Sequence, residues 1–167
     1  MQKETMEDKI IEVGMAQLAV AEAPGRLVTR GLGSCLGITI YDSTKKIGGM
    51  VHAMLPDIEK AKIKTNTSRF VNSAIKKMVV DLEKKGCLRA RLAAKVFGGA
   101  HMFSFIASEG ALNVGQKNIE MAELLLNDMK IEIAAQETGG TFGRTIELNL
   151  EDGKVLIKTV SWGEKEV

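Results

Sequence analysis

The chain predicts an α+β sandwich of mixed sheets with both helices on one face. Three observations carry that prediction. Short apolar runs broken by turn residues recur along most of the chain, only two segments show helical periodicity, and no stretch is apolar long enough to span a bilayer. At 167 residues the chain is long enough to bury a substantial core. We expect one domain over 1–167, with the charged segment 1–9 as a flexible N-terminal extension.

The elements follow in order. Ile10 to Ala21 is mostly apolar and runs up to the Pro24-Gly25 turn signal, so it predicts a first strand. Leu27 to Arg30 and Leu36 to Asp42 predict short strands around a glycine turn. Ser43 to Lys46 predicts a hairpin loop, and Ile47 to Leu55 a returning strand stopped by Pro56. Asp57 to Asn66 reads as a lysine-rich loop. Phe70, Val71, Ala74, Ile75, Met78, Val79 and Leu82 form one helical stripe, which Thr67 or Ser68 can cap and Gly86 can end. Leu88 to Val96 alternates with Arg89, Arg91 and Lys95 and predicts a half-buried strand, followed by a loop from Phe97 to Phe103. A second helix runs from about Val114 to Met129 and buries Ile119, Ala122, Leu125, Leu126 and Met129. Ile131 to Ala135 predicts a strand, Thr138-Gly139-Gly140 a turn, and Thr145–Leu150 with Val155–Val160 a hairpin.

Composition narrows the function. A net charge of +2 and 4% aromatic residues argue against nucleic-acid binding, which calls for a basic face or stacking rings. The start carries no apolar signal core, and two cysteines allow one disulfide at most, so a soluble cytoplasmic protein with reduced thiols is expected. The glycine loops match neither a dinucleotide fingerprint nor a P-loop. Cys35, Cys87, His52 and His101 lack the paired spacings of structural zinc sites, so neither metal nor cofactor is expected.

Chemistry concentrates in Gly31-Leu32-Gly33-Ser34-Cys35, with His52 seventeen positions later. A thiol on a glycine turn with an imidazole within reach is the pattern of a Cys-His nucleophile. On residues alone, Cys35 could equally be a small buried hydrophobe, His52 a structural histidine and Thr29 an ordinary strand threonine. Cys87 reads as packing, and His101 as a rim or exposed residue. If the dyad is active, Cys35 is expected to titrate below the free-thiol value of about 8.5.

Several separated segments together resemble the CheD family of chemoreceptor glutamine deamidases. They are Thr29 through Cys35, His52-Ala53-Met54-Leu55-Pro56, Phe97 through Ala100 with Met102-Phe103, Asn113-Val114-Gly115 with Asn118, and Thr138-Gly139-Gly140 with Gly143-Arg144. The resemblance implies a three-layer α/β/β sandwich and a catalytic triad of Cys35, His52 and Thr29. It departs at His101, where many relatives carry a small residue, and at Glu137, where aspartate is usual; both could alter preference at the pocket rim.

That resemblance implies hydrolysis of glutamine side chains on methyl-accepting chemoreceptors through a Cys35 thioester, in chemotaxis adaptation. The Gly33-Ser34-Cys35 turn would supply oxyanion N–H groups. Gly98 and Gly99 would admit the receptor helix, with Met102 and Phe103 as an apolar ledge beside them. Two alternatives stand beside this reading: a regulatory module that binds and stimulates the CheC phosphatase, and another small Cys-His amidase or esterase.

Overall fold

The computed structural model describes residues 9–102 and 113–167. The expected extension lies almost wholly outside the described residues, and Phe103 lies outside them entirely.

Among the described residues, ten strands form two five-stranded sheets. One sheet holds β1 (Ile10–Glu12), β3 (Arg26–Leu32), β8 (Arg144–Asn149), β9 (Val155–Thr159) and β10 (Gly163–Glu166), in that spatial order. The other holds β2 (Leu18–Glu22), β5 (Ile47–Ala53), β4 (Leu36–Asp42), β6 (Leu92–Gly98) and β7 (Glu132–Thr138). Both are mixed: β1 runs parallel to β3 and β6 parallel to β7, while the remaining pairs are antiparallel.

Two helices, α1 (Val71–Lys84) and α2 (Val114–Asp128), cover the second sheet. Val71, Ala74, Ile75, Met78, Val79 and Leu82 of α1 and Ile119, Ala122 and Leu126 of α2 pack against Leu36, Ile38, Ile40, Val51, Ala53, Ala94 and Val96. A separate core of Leu27, Leu32, Met50, Phe97, Ile146, Leu148, Val155 and Ile157 fills the space between the sheets. The expected α/β/β layering is therefore the observed one. Strands β4 and β5 lie in the central layer and are buried on both faces along their whole length. Along β5, Val51 and Ala53 face the helices, while Met50 faces the other sheet, and His52 shares its face by alternation.

Several sequence expectations are corrected. Ile10 to Ala21 is not one strand: a turn at Gly14 to Gln17, with Ala16 at φ 58°, divides it and passes the chain from one sheet to the other. Leu88 is 58% exposed, because Arg89–Arg91 forms a 3₁₀ turn and the alternation starts only at Leu92. Phe97 and Gly98 continue β6 rather than opening a loop, and β5 stops two residues before Leu55. Neither Thr67 nor Ser68 caps α1. They lie in a 3₁₀ turn capped by Asn66, and Phe70 takes the N-cap position without a side-chain bond. Gly86 does end α1, at φ 92°, with its own N–H on Glu83 O and that of Cys87 on Leu82 O. The strand β10 was not expected from the sequence.

Candidate active site

His52 sits near the end of β5 on the face turned toward the other sheet. Its backbone is held at both polar groups by one turn: its N–H donates to Gln17 O at 3.1 Å, and its carbonyl accepts from Ala16 N–H at 2.8 Å. The turn that splits the first predicted strand is thus the clamp on the histidine. Across the gap, Thr29 alternates with Leu27 along β3 and reaches the ring, with Oγ1 2.8 Å from His52 Nδ1. Both residues are buried, and Nε2 of the ring is buried with no partner. A ring held at Nδ1 and open at Nε2 is oriented for proton transfer at Nε2.

Cys35 stands in the turn between β3 and β4. The ladder pairs Gly37 with His52 and Leu36 with Ala53, so Cys35 lies just beyond the end of the paired strands, diagonal to His52. Its side chain is part-buried and packs against the core between the sheets. A bulge between Thr29 and Leu32, with Gly31 at φ 69°, turns β3 toward this crossing.

Three successive carbonyls of the turn are tied inward. Gly33 O accepts from Ala100 N–H at 2.8 Å, Ser34 O from Asn118 Nδ2 at 3.0 Å, and Cys35 O from Gly99 N–H at 3.0 Å. The N–H groups of Ser34 and Cys35 donate to no backbone acceptor among the described residues, and that of Cys35 faces its own sulfur. Two N–H groups without a backbone acceptor, on a turn whose carbonyls are all engaged, can hold a developing oxyanion.

Burial pushes the Cys35 thiol above its ordinary range, partly opposed by its own backbone N–H. Burial also holds the His52 imidazole below its ordinary value of 6.5. This corrects the expectation of a depressed thiol. With the imidazole kept neutral, no cation stands beside the sulfur to favour the thiolate. The resting pair is a neutral thiol with a neutral base.

The remaining candidates separate clearly. Gly98 and Gly99 are buried, at φ 99° and 67°, and do not form an open approach. A Cβ on Gly98 would collide with the Cys35 carbonyl oxygen, and one on Gly99 would lie 2.6 Å from Ile119 of α2. They brace the turn from below. Met102 is 39% exposed and lies over Gly33, whose Cβ position is 3.3 Å from the Met102 side chain. His101 is exposed and donates its backbone N–H to Gly140 O at 2.8 Å. Glu137 meets Arg144 and Lys165 at 3.4 Å each, an ion-pair role. Cys87 is buried in the helix-facing core, on the far side of the central sheet from the space that holds His52. The four-ligand zinc set therefore does not assemble, and among the described residues no group of three or more His, Cys, Asp or Glu gathers to hold a metal. Asn118 is the residue that sequence reasoning missed: the sequence marks it only as part of a resemblance and gives it no task.

Comparison with known proteins adds an independent line. Residues 54–159 match the family model described as CheD chemotactic sensory transduction. The chain is 44% identical to a probable chemoreceptor glutamine deamidase CheD of Lachnoclostridium phytofermentans, over 95% of this chain and 99% of that one. It is 42% identical to the chemoreceptor glutamine deamidase CheD of Halalkalibacterium halodurans, over 95% and 98%. A probable chemoreceptor glutamine deamidase of Methanosarcina acetivorans is 41% identical over 95% and 97%. The family-model match starts after Thr29, Cys35 and His52, so the case for those three rests on the geometry above.

Proposed function

Because this chain belongs to the CheD family, we propose that it deamidates glutamine side chains of chemoreceptors, with Cys35 as nucleophile and His52 as proton carrier. The observation that carries the assignment is the His52 ring, bonded to Thr29 at Nδ1 over 2.8 Å and left unpartnered at Nε2, on the face of the central sheet where Cys35 also packs.

Nδ1–H donates to Thr29 Oγ1, which leaves the Nε2 lone pair as the base. Nε2 takes the Cys35 proton as the sulfur attacks the carboxamide carbon. The carbonyl oxygen becomes an oxyanion between the N–H groups of Ser34 and Cys35. The imidazolium returns its proton to the departing nitrogen, ammonia leaves and a thioester remains. His52 then deprotonates water, the hydroxide attacks the thioester, and the released sulfur regains a proton. The net change is one glutamine and one water converted to glutamate and ammonia. Thr29 touches only the ring and is a positioning residue in this scheme.

The exposed Met102 beside Gly33 supports a docking face for the receptor helix at this turn. The CheC phosphatase is a further proposed partner at that face, which a pull-down with the Cys35→Ala protein tests. On this reading the protein works in the cytoplasm; no described helix is long and apolar enough to cross a membrane.

The test of the assignment is Cys35→Ala with a receptor cytoplasmic fragment. Ammonia release and the gain of about one dalton per modified glutamine should both disappear. Activity retained in that variant excludes Cys35 as the nucleophile.

A further inference from the structure

The side-chain amide of Asn118 is fully buried, and its Nδ2 donates two hydrogen bonds: to Ser34 O at 3.0 Å and to Met54 O at 3.1 Å. The first acceptor belongs to the Cys35 turn, and the second lies two residues beyond His52. One side chain from the helix layer therefore ties the thiol-bearing turn to the histidine-bearing strand. The helix comes close enough because Gly115, one turn earlier, has no side chain. A Cβ there would lie 2.6 Å from Gly99 O and 2.7 Å from Ala100 O.

Ser34 C=O and Cys35 N–H belong to the same planar trans peptide and point in opposite directions. Drawing the carbonyl toward α2 turns the N–H away from the helix, toward the side of the turn that carries the sulfur. The carbonyls of Gly33 and Cys35 are held by backbone donors that no side-chain substitution removes. The intervening carbonyl depends on Asn118.

We propose that Asn118 is a positioning residue for the deamidation step, setting the direction of the Cys35 N–H so that it meets the oxyanion on the substrate. A stronger bond to the oxyanion than to the ground-state carbonyl lowers the barrier without tightening substrate binding. The loss of Asn118 should therefore fall on kcat and leave KM alone. This inference rests on Cys35 being the nucleophile.

The test compares wild type, Cys35→Ala, Asn118→Ala and Asn118→Asp on a receptor cytoplasmic fragment. Asn118→Asp keeps the shape of the side chain and removes the paired donors, so it serves if the alanine variant does not fold. Native iodoacetamide labelling reports folding in each, because the buried Cys87 reacts only when the chain opens. In protein with Cys87 protected, kcat should fall by roughly 10²-fold while KM stays within about twofold. A folded Asn118 variant with kcat near wild type overturns the proposal, as does a loss that lies in KM. If Cys35→Ala remains active, the nucleophile assignment itself fails. If Cys35→Ala is inactive and the Asn118 variants turn over normally, only the role given to Asn118 fails.

Discussion

His52 is fixed at Nδ1 by a threonine hydroxyl rather than by a carboxylate, and that choice sets the charge state of the site. A carboxylate partner would raise the imidazole's proton affinity and favour an ion pair with the thiol; a neutral hydroxyl does not. Burial then acts unopposed on the ring, holding it neutral, and pushes the thiol up. Below its lowered value the imidazole carries a proton and cannot accept one from sulfur, so the acid limb of kcat/KM should lie below the ordinary imidazole value of 6.5. The midpoint of Cys35 alkylation should lie above about 8.5. An alkylation midpoint well below that value would restore a thiolate–imidazolium pair and contradict the neutral dyad. Removing the hydroxyl tests the other half of the arrangement. Thr29→Val keeps the shape but leaves Nδ1 buried without a partner, at a stability loss of about 1–3 kcal/mol. Its kcat should fall and Thr29→Ser should restore it; turnover unchanged in Thr29→Val would dismiss the hydroxyl as an orienting group.

At the scale of elements, the site is a crossing point rather than a hairpin tip. β3 and β4 lie in different sheets, and the Gly33 to Cys35 turn carries the chain between them. Its support comes from the end of β6, where Gly98 presents no Cβ to the Cys35 carbonyl. Gly98→Ala should lose roughly 1–2 kcal/mol from the left-handed backbone alone and more from the collision, and should reduce deamidation with it. Thermal unfolding and activity measured together check this, and a variant wild-type in both would remove Gly98 from the support. The boundaries of β4 were legible because Leu36, Ile38, Ile40 and Tyr41 make Leu36 to Asp42 rich in strand-forming residues between a glycine turn and the polar Ser43 to Lys46 loop. The fate of Ile10 to Ala21 was not legible. A single Gly14 in an apolar stretch does not announce that the chain changes sheets there. Leu88 misled for a related reason, since its apolar side chain fits the alternation while Arg89–Arg91 winds a 3₁₀ turn beneath it.

At the scale of the molecule, each layer contributes one part of the proposed machinery. The outer sheet supplies Thr29, the central sheet supplies His52 and the start of β4 behind Cys35, and the helix layer supplies Asn118. Two apolar cores, one on each face of the central sheet, hold these parts in register. A sandwich with both helices on one face was legible from the run of short strands and the two helical stripes, its α/β/β layering from the family resemblance, and the Cys-His pair from residue chemistry. Asn118 was not legible, because its task depends on which carbonyls the fold brings beneath it, and no local pattern encodes that. In the proposed mechanism Cys35 attacks the carboxamide and carries the acyl group as a covalent thioester. Wild-type protein mixed with a receptor fragment, quenched in acid during turnover and digested, should yield the Cys35 peptide joined through a thioester to the glutamine-derived side chain, and hydroxylamine should release it. Deamidation proceeding at full rate with no such adduct, and undiminished in Cys35→Ala, would contradict the account.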